Sequence, residues 1–275
     1  LCTEDVETIS LHGIEHNVRA LVMAWHDAIV AGAAALGVRV DGLWWTRHHA
    51  RRGEKTRIES EYLSGARALS ETLLVAGAPA RTFAIHPRAF FQPSSAGAEA
   101  IYAAVRELVV AQRAVGDADR PVSGAGASAI AAEGGALLDL YCGAGTIGLI
   151  LADLFAEVIG VELEDAAVDA ARDNAAANGI PHAQFFAGDA ASALVAAGLD
   201  TPGRFDTVIV DPPRIGLSDA AMAVIGRLAA PSMIYVSCNA QSLARDLPAL
   251  AAHGYRTTRA IPVDQFPHAA HLETV

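Results

Sequence analysis

From residue 136 onward, short apolar runs alternate with longer segments in which apolar residues recur every three or four positions. The runs Leu137–Leu140, Glu157–Val161, Ala183–Ala187, Phe205–Val210 and Met233–Ser237 predict strands. Between them Thr146–Phe155, Asp165–Asn178, Ala220–Ala229 and Ser242–Ala252 predict helices, with a further helix after Gly188-Asp189; Gly179 is placed to close the second. Strands around Tyr255–Pro262 and His271–Val275 complete the set. Strand and helix in strict alternation specify an α/β fold: a doubly wound, mainly parallel sheet, whose ligands bind beyond the C-terminal strand ends.

Upstream the pattern is less regular. Val18, Leu21, Val22, Trp25 and Ile29 share one face of a helix over His16–Val30. Strand-like pieces Val38–Val40 and Leu43–Thr46 flank the turn pair Asp41-Gly42, and Arg81–Pro87 reads as another strand. Ser94 or Ser95 can cap a helix running through Val109. Residues 1–88 are thus expected to be part of a smaller α+β domain, and 89–275 the α/β domain, with 116–135 a flexible insertion rich in Gly, Ala, Ser and Asp. The chain begins at Leu1 and stops at Val275 within a predicted strand, so a fragment of a longer protein is expected.

Composition narrows the class. With 52% apolar and 19% charged residues the chain can bury a full core. No apolar run reaches the roughly 20 residues of a membrane helix, and no secretory pattern opens the chain. Cys2, Cys142 and Cys238 offer neither a disulfide framework nor metal-ligand spacing; an intracellular, cytoplasmic setting without membrane or metal is the expectation. A net charge of −11 argues against broad attraction to nucleic acid. Arg47, His48, His49, Arg51, Arg52, Lys55 and Arg57 form one basic cluster, equally readable as a solvated loop or a phosphate-contacting patch. Trp44-Trp45 reads as packing and Cys142 as core.

The polar residues that matter stand at strand ends. Asp139 and Tyr141, then Cys142-Gly143-Ala144-Gly145-Thr146-Ile147-Gly148, form a strand, a tight turn and a helix N-terminus that can receive a nucleotide-like ligand. Glu162 lies 19 residues beyond Gly143, where a carboxylate can accept from both hydroxyls of an adenosine ribose. That geometry serves NAD and S-adenosyl-L-methionine alike. Asp189 and Asp211 end the third and fourth strands, and Asp211-Pro212-Pro213 is a rigid carrier for an acid at the pocket edge. No hydride-transfer set accompanies them. Cys238 ends the fifth strand just before a helix, where the helix N-terminus is expected to favour a thiolate; its position alone leaves nucleophile and inert core equally open.

Phe90-Phe91-Gln92, Asp139 to Thr146, Asp211-Pro212-Pro213-Arg214, Ser237-Cys238-Asn239 and Phe266-Pro267-His268 with His271 and Glu273 occur in this order. Together they resemble the RNA (uracil-5-)-methyltransferase family over about residues 80–275. The resemblance implies a Rossmann-like class I methyltransferase that uses S-adenosyl-L-methionine to form 5-methyluridine in tRNA or rRNA. It implies Cys238 as nucleophile towards C6 of uracil and Glu273 as the base that removes the C5 proton. Cofactor contacts carried over are Gln92, Tyr141, Thr146, Glu162 and Asp211, with the glycines Gly143 and Gly145 and, on the adenine side, Asp189. The RNA partner would present an unpaired uridine. His268 and His271 would orient the C-terminal loop or touch RNA. Some family members carry an N-terminal β-barrel or a four-cysteine iron–sulfur site, and neither is visible here; Ala240 replaces the proline common after Ser-Cys-Asn. Methylation of another RNA base, a non-catalytic RNA- or cofactor-binding module and a dehydrogenase remain alternatives. Oligomeric state is not legible.

Overall fold

The computed structural model describes residues 15–49, 57–87, 89–116, 134–265 and 272–275. The expected insertion at 116–135 lies almost wholly outside these, as do Cys2, Arg51, Arg52, Lys55, His268 and His271. Two compact units, Leu1–Leu69 and Ser70–Val275, make up the chain.

In the first unit α1 (Glu15–Ala35) precedes the antiparallel hairpin of β1 (Gly42–His49) and β2 (Arg57–Gly65). Val38–Val40, expected as a strand, is irregular; β1 pairs with the later, mostly polar β2 instead. Trp44 stacks edge-on against Tyr62, as its packing role requires. Arg47 lies over the Trp45 ring and pairs with Glu59, so this part of the basic cluster sits on a strand with a carboxylate opposite, not in a loop. Against the composition-based expectation, the Val18–Ala35 stretch of α1 has a mean hydropathy of 1.3 and is long and apolar enough to cross a membrane by length and composition alone.

The second unit opens with the hairpin β3 (Leu69–Leu73) and β4 (Arg81–Ile85), followed by α2 (Ser95–Gly116). The Ser94 hydroxyl accepts from Gly97 N at 3.1 Å, capping α2. Then come β5 (Ala136–Leu140), α3 (Thr146–Leu151), β6 (Glu157–Glu162), α4 (Asp165–Ala177), β7 (Ala183–Ala187), α5 (Ala190–Ala196), β8 (Thr207–Val210), α6 (Asp219–Leu228), β9 (Ser232–Tyr235) and α7 (Ala240–Ala252). A short pair, β10 (Pro262–Val263) and β11 (Glu273–Thr274), ends the chain.

Five parallel strands form one sheet in the order β7-β6-β5-β8-β9. This is the expected doubly wound α/β arrangement. The order in which strands are added reverses between β5 and β8, and the crevice at that switch point is where such sheets bind ligands. Every residue of β5 and β8 is buried, which is why both read as nearly continuous apolar runs with Asp139 and Thr207 as the polar exceptions. One core packs α2, α3 and α4 on one face of the sheet and a second packs α5, α6 and α7 on the other. Gly179 closes α4 at φ +65°, a left-handed turn that favours glycine. Asn174, fully buried on α4, accepts from Ala84 N of β4 at 2.8 Å and donates to Ala144 O at 3.2 Å, tying the β3–β4 hairpin to the glycine turn.

Candidate functional site

The β5–α3 turn is built from left-handed residues. Tyr141 (φ +64°), Gly143 (+53°) and Gly145 (+78°) fold the chain back within five positions. A side chain on Gly145 would put its Cβ 2.9 Å from the Phe185 ring and 3.1 Å from Ala171, so glycine is required for both conformation and space. Gly143 differs: a Cβ there would meet nothing closer than 3.9 Å, because it faces a crevice. Tyr141 holds a left-handed conformation without glycine's freedom, a strain that marks functional turns. Below the turn, Asp139 is fully buried, and its Oδ2 accepts from Gly148 N at 2.9 Å, pinning the start of α3 to the end of β5.

The crevice has a volume of about 330 Å³, open to solvent, and is lined by Phe90, Phe91, Gln92, Tyr102, Tyr141, Cys142, Gly143, Ala144, Thr146, Ile147 and Asp211. Four of the expected cofactor contacts, Gln92, Tyr141, Thr146 and Asp211, therefore share one wall system with Gly143. Glu162 stands beside it: Oε2 accepts from Gly143 N at 3.1 Å and Oε1 from Glu164 N at 3.0 Å. The carboxylate is thus fixed at the crevice rim with lone pairs to spare. Gly145 shapes the turn without lining the crevice. Asp189 is the N-cap of α5, accepting from Ala191 N and Ser192 N at 3.1 Å each and from the Ser192 hydroxyl. Those hydrogen bonds, the Ser192 hydroxyl first, hold its carboxyl below the usual range.

Cys238 and Glu273, the expected catalytic pair, are brought together near the final strand. Ser237 and Thr274 form an antiparallel bridge with both N–H···O bonds at 2.9 Å. Cys238 and Glu273, the next residues on each side, consequently fall opposite one another. Ser237 Oγ donates to Asn239 O at 3.0 Å and accepts from Asn239 N at 3.2 Å, and the Asn239 side chain caps α7 by accepting from Gln241 N at 3.1 Å. Asn239 Nδ2 also donates to Arg214 O at 2.9 Å, anchoring the Asp-Pro-Pro-Arg segment beside the cysteine.

Negative charge dominates this end of the site. Burial, then Glu273, then Asp139 push the Asp211 carboxyl up to about 8. Burial pushes Asp139 up to about 7, against the Gly148 hydrogen bond. Glu273 is buried and raised for the same reason, with Arg214 opposing. The Cys238 thiol is raised, chiefly by burial, then by the charges of Glu273 and Asp211, with Arg214 again opposing. The α7 N-terminus, which the sequence offers in favour of a Cys238 thiolate, is opposed by burial and by the two neighbouring carboxylates. Cys142 is buried with its thiol pushed well up, consistent with packing.

Three residues of the site carried no role in the sequence. Tyr102 lines the crevice from α2, its hydroxyl bonded to Thr146 among Asp211, Asp139 and Glu273. Arg214 supplies the cationic influence felt by both Cys238 and Glu273. Gln265 donates to Gln92. Arg214 stood in a quoted motif, but only the fold shows what it faces. Among the described residues, no group of three or more His, Cys, Asp or Glu side chains could hold a metal ion.

Residues 125–275 match the model of the tRNA (uracil-5-)-methyltransferase family. An uncharacterized RNA methyltransferase of Caldanaerobacter subterraneus subsp. tengcongensis is 39% identical over 193 residues, covering 70% of this chain and 38% of its own length. One from Chlamydia trachomatis is 31% identical over 255 residues, 93% of this chain and 57% of that protein. The crystal structure of Pyrococcus abyssi tRNA (uracil-54, C5)-methyltransferase in complex with S-adenosyl-L-homocysteine superimposes with a TM-score of 0.61 at 28% identity, covering 86% of this chain and 50% of that one. The chain thus spans between about two fifths and three fifths of the length of these proteins. A family match over more than half the chain, reaching from before β5 to the final strand, places it: the chain belongs to the tRNA (uracil-5-)-methyltransferase family.

Proposed function

We propose that this chain carries the catalytic part of an enzyme that methylates C5 of a uridine in RNA, using S-adenosyl-L-methionine. The observation that carries the reading is the Ser237–Thr274 bridge, which sets a cysteine opposite a carboxylate near Asp211, a wall residue of the crevice at the sheet's switch point. The structure in complex with S-adenosyl-L-homocysteine and the family match support it.

The crevice suits the cofactor. Asp139, Asp211 and Glu273 lie close enough for their charges to interact, two of them carry strongly raised carboxyls, and a ligand bearing positive charge relieves that repulsion. Glu162 can hold the ribose hydroxyls, Asp211 the ammonium, Gln92 and Thr146 the amino-acid end, and Tyr141 can pack on the ligand. Asp189 would reach the adenine side only from its capping position. When bound, S-adenosyl-L-methionine supplies an electrophilic methyl group.

The chain's own residues do the rest. Cys238 as thiolate forms a bond to C6 of the uracil, and the C5–C6 π electrons move onto C5 and O4. Arg214 favours this thiolate. Once C5 is methylated, Glu273 takes the C5 proton; the C–H electrons re-form C5=C6 as the S–C6 bond breaks and the thiolate leaves. Burial raises the Glu273 carboxyl and so makes its carboxylate a better proton acceptor than an exposed one. A tRNA or rRNA substrate must present the uridine unstacked.

Incubation of the protein with cellular RNA and labelled cofactor, followed by nucleoside mass spectrometry, tests the reading. Label in 5-methyluridine is expected. Label in 5-methylcytidine or an N-methylated base would overturn uridine as target, and cofactor binding without transfer to any RNA would overturn the catalytic reading.

A further inference from the structure

Gln265 follows β10 by two residues and is buried, at 5% exposure. Its Nε2 donates to Gln92 Oε1 at 3.0 Å, across 173 positions of sequence. Gly97, in the first turn of α2, makes room for it: a Cβ there would lie 2.4 Å from Gln265 Cγ and 3.2 Å from both Cδ and Nε2. Meanwhile Gln265 Oε1 is buried with no hydrogen-bond partner among the described residues. A buried acceptor left without a donor is a cost that an apolar side chain of similar size would not carry. Packing alone does not account for a glutamine here.

Its hydrogen bond decides which face of Gln92 the crevice meets. That bond turns Oε1 of Gln92 toward Gln265 and leaves its NH2 group to face the crevice. Gln92 lines the crevice and is tied to the segment that follows β10. On the cofactor reading above, on which this inference rests, it meets the amino-acid end of the ligand. There the carboxylate is the strong acceptor, whereas an amide oxygen turned inward would select the ammonium instead.

We propose that Gln265 is a positioning residue: it locks the Gln92 amide with NH2 toward the crevice and so fits the site to the carboxylate of an S-adenosyl amino acid. Because β10 pairs with β11, the same residue links the cofactor contact to the strand bearing Glu273.

Two ligands separate this role from a structural one. S-adenosyl-L-homocysteine carries the carboxylate; 5′-methylthioadenosine keeps the adenosine and thioether but lacks the amino acid. Calorimetric titration of the native protein, Gln265→Leu and Gly97→Ala is the experiment, with a thermal melt of each. Loss of an oriented hydrogen bond to a charged group weakens S-adenosyl-L-homocysteine about tenfold in both variants, with 5′-methylthioadenosine unchanged and the Gln265→Leu melting temperature unchanged or raised. Equal weakening of both ligands, or of neither, overturns the proposal while leaving the cofactor reading intact. If Gln265→Leu does not fold, Gly97→Ala decides on the same criterion. A native protein that binds neither ligand overturns the cofactor reading, and this proposal with it.

Discussion

Asp139→Asn should make the protein's stability less sensitive to pH, and the size of the effect follows from burial. Asp139 is fully buried; Oδ2 accepts from Gly148 N, and Oδ1 has no partner among the described residues. Its carboxyl is pushed from 3.8 to about 7. An acid whose folded pKa exceeds its unfolded value binds its proton more tightly in the native state. The stability it contributes is therefore full below about pH 4 and declines as pH rises toward 7, by about 1.4 kcal/mol per unit. Between pH 5 and 7 that amounts to about 2 kcal/mol, since the slope halves as pH reaches the folded pKa. Asparagine keeps an acceptor for Gly148 N and has no charge to desolvate. Urea unfolding of both proteins at pH 5, 6 and 7 should show the variant gaining on the native protein at each step. A difference constant across that range would refute the argument, because it would mean that Asp139 is ionised at its ordinary pKa or reached by solvent.

Other outcomes follow from the same geometry. Gly145→Ala should destabilise by about 2 kcal/mol or more, since φ is +78° and the new Cβ meets Phe185 at 2.9 Å; chemical denaturation measures it, and an unchanged midpoint contradicts the close packing. Alkylation of Cys238, followed by peptide mass spectrometry against pH, should accelerate with a midpoint above the usual thiol range, and Arg214→Ala should move it higher still. A rate already at its plateau at pH 7 would mean that the neighbouring carboxylates do not reach the thiol. Glu273→Gln should stall after methylation and accumulate protein–RNA covalent complex on denaturing gels; normal turnover would assign the base to another residue.

The sheet was legible because parallel strands buried on both faces leave nearly continuous apolar runs, as β5 and β8 do apart from Asp139 and Thr207. Strand ends then told where ligands gather, and Gln92, Tyr141, Thr146 and Asp211 do meet in one crevice. The hairpins were harder. Arg57–Gly65 is polar enough to look like loop, and its pairing with β1 is what makes it a strand. The surroundings of Cys238 were only half legible for a related reason: a helix N-terminus is visible in sequence, whereas Glu273 arrives beside it only through the Ser237–Thr274 bridge. Tyr102 and Gln265 act through tertiary packing, and no local pattern in the chain announces either one.

Mixing the protein with RNA containing 5-fluorouridine and S-adenosyl-L-methionine puts the central claim to its most direct test, because fluorine at C5 cannot leave as a proton and the adduct cannot resolve. A stable covalent complex, joined through Cys238 by peptide mapping and missing in Cys238→Ala, is the predicted result. A complex that persists in Cys238→Ala, or none at all while natural RNA is methylated, would contradict the account.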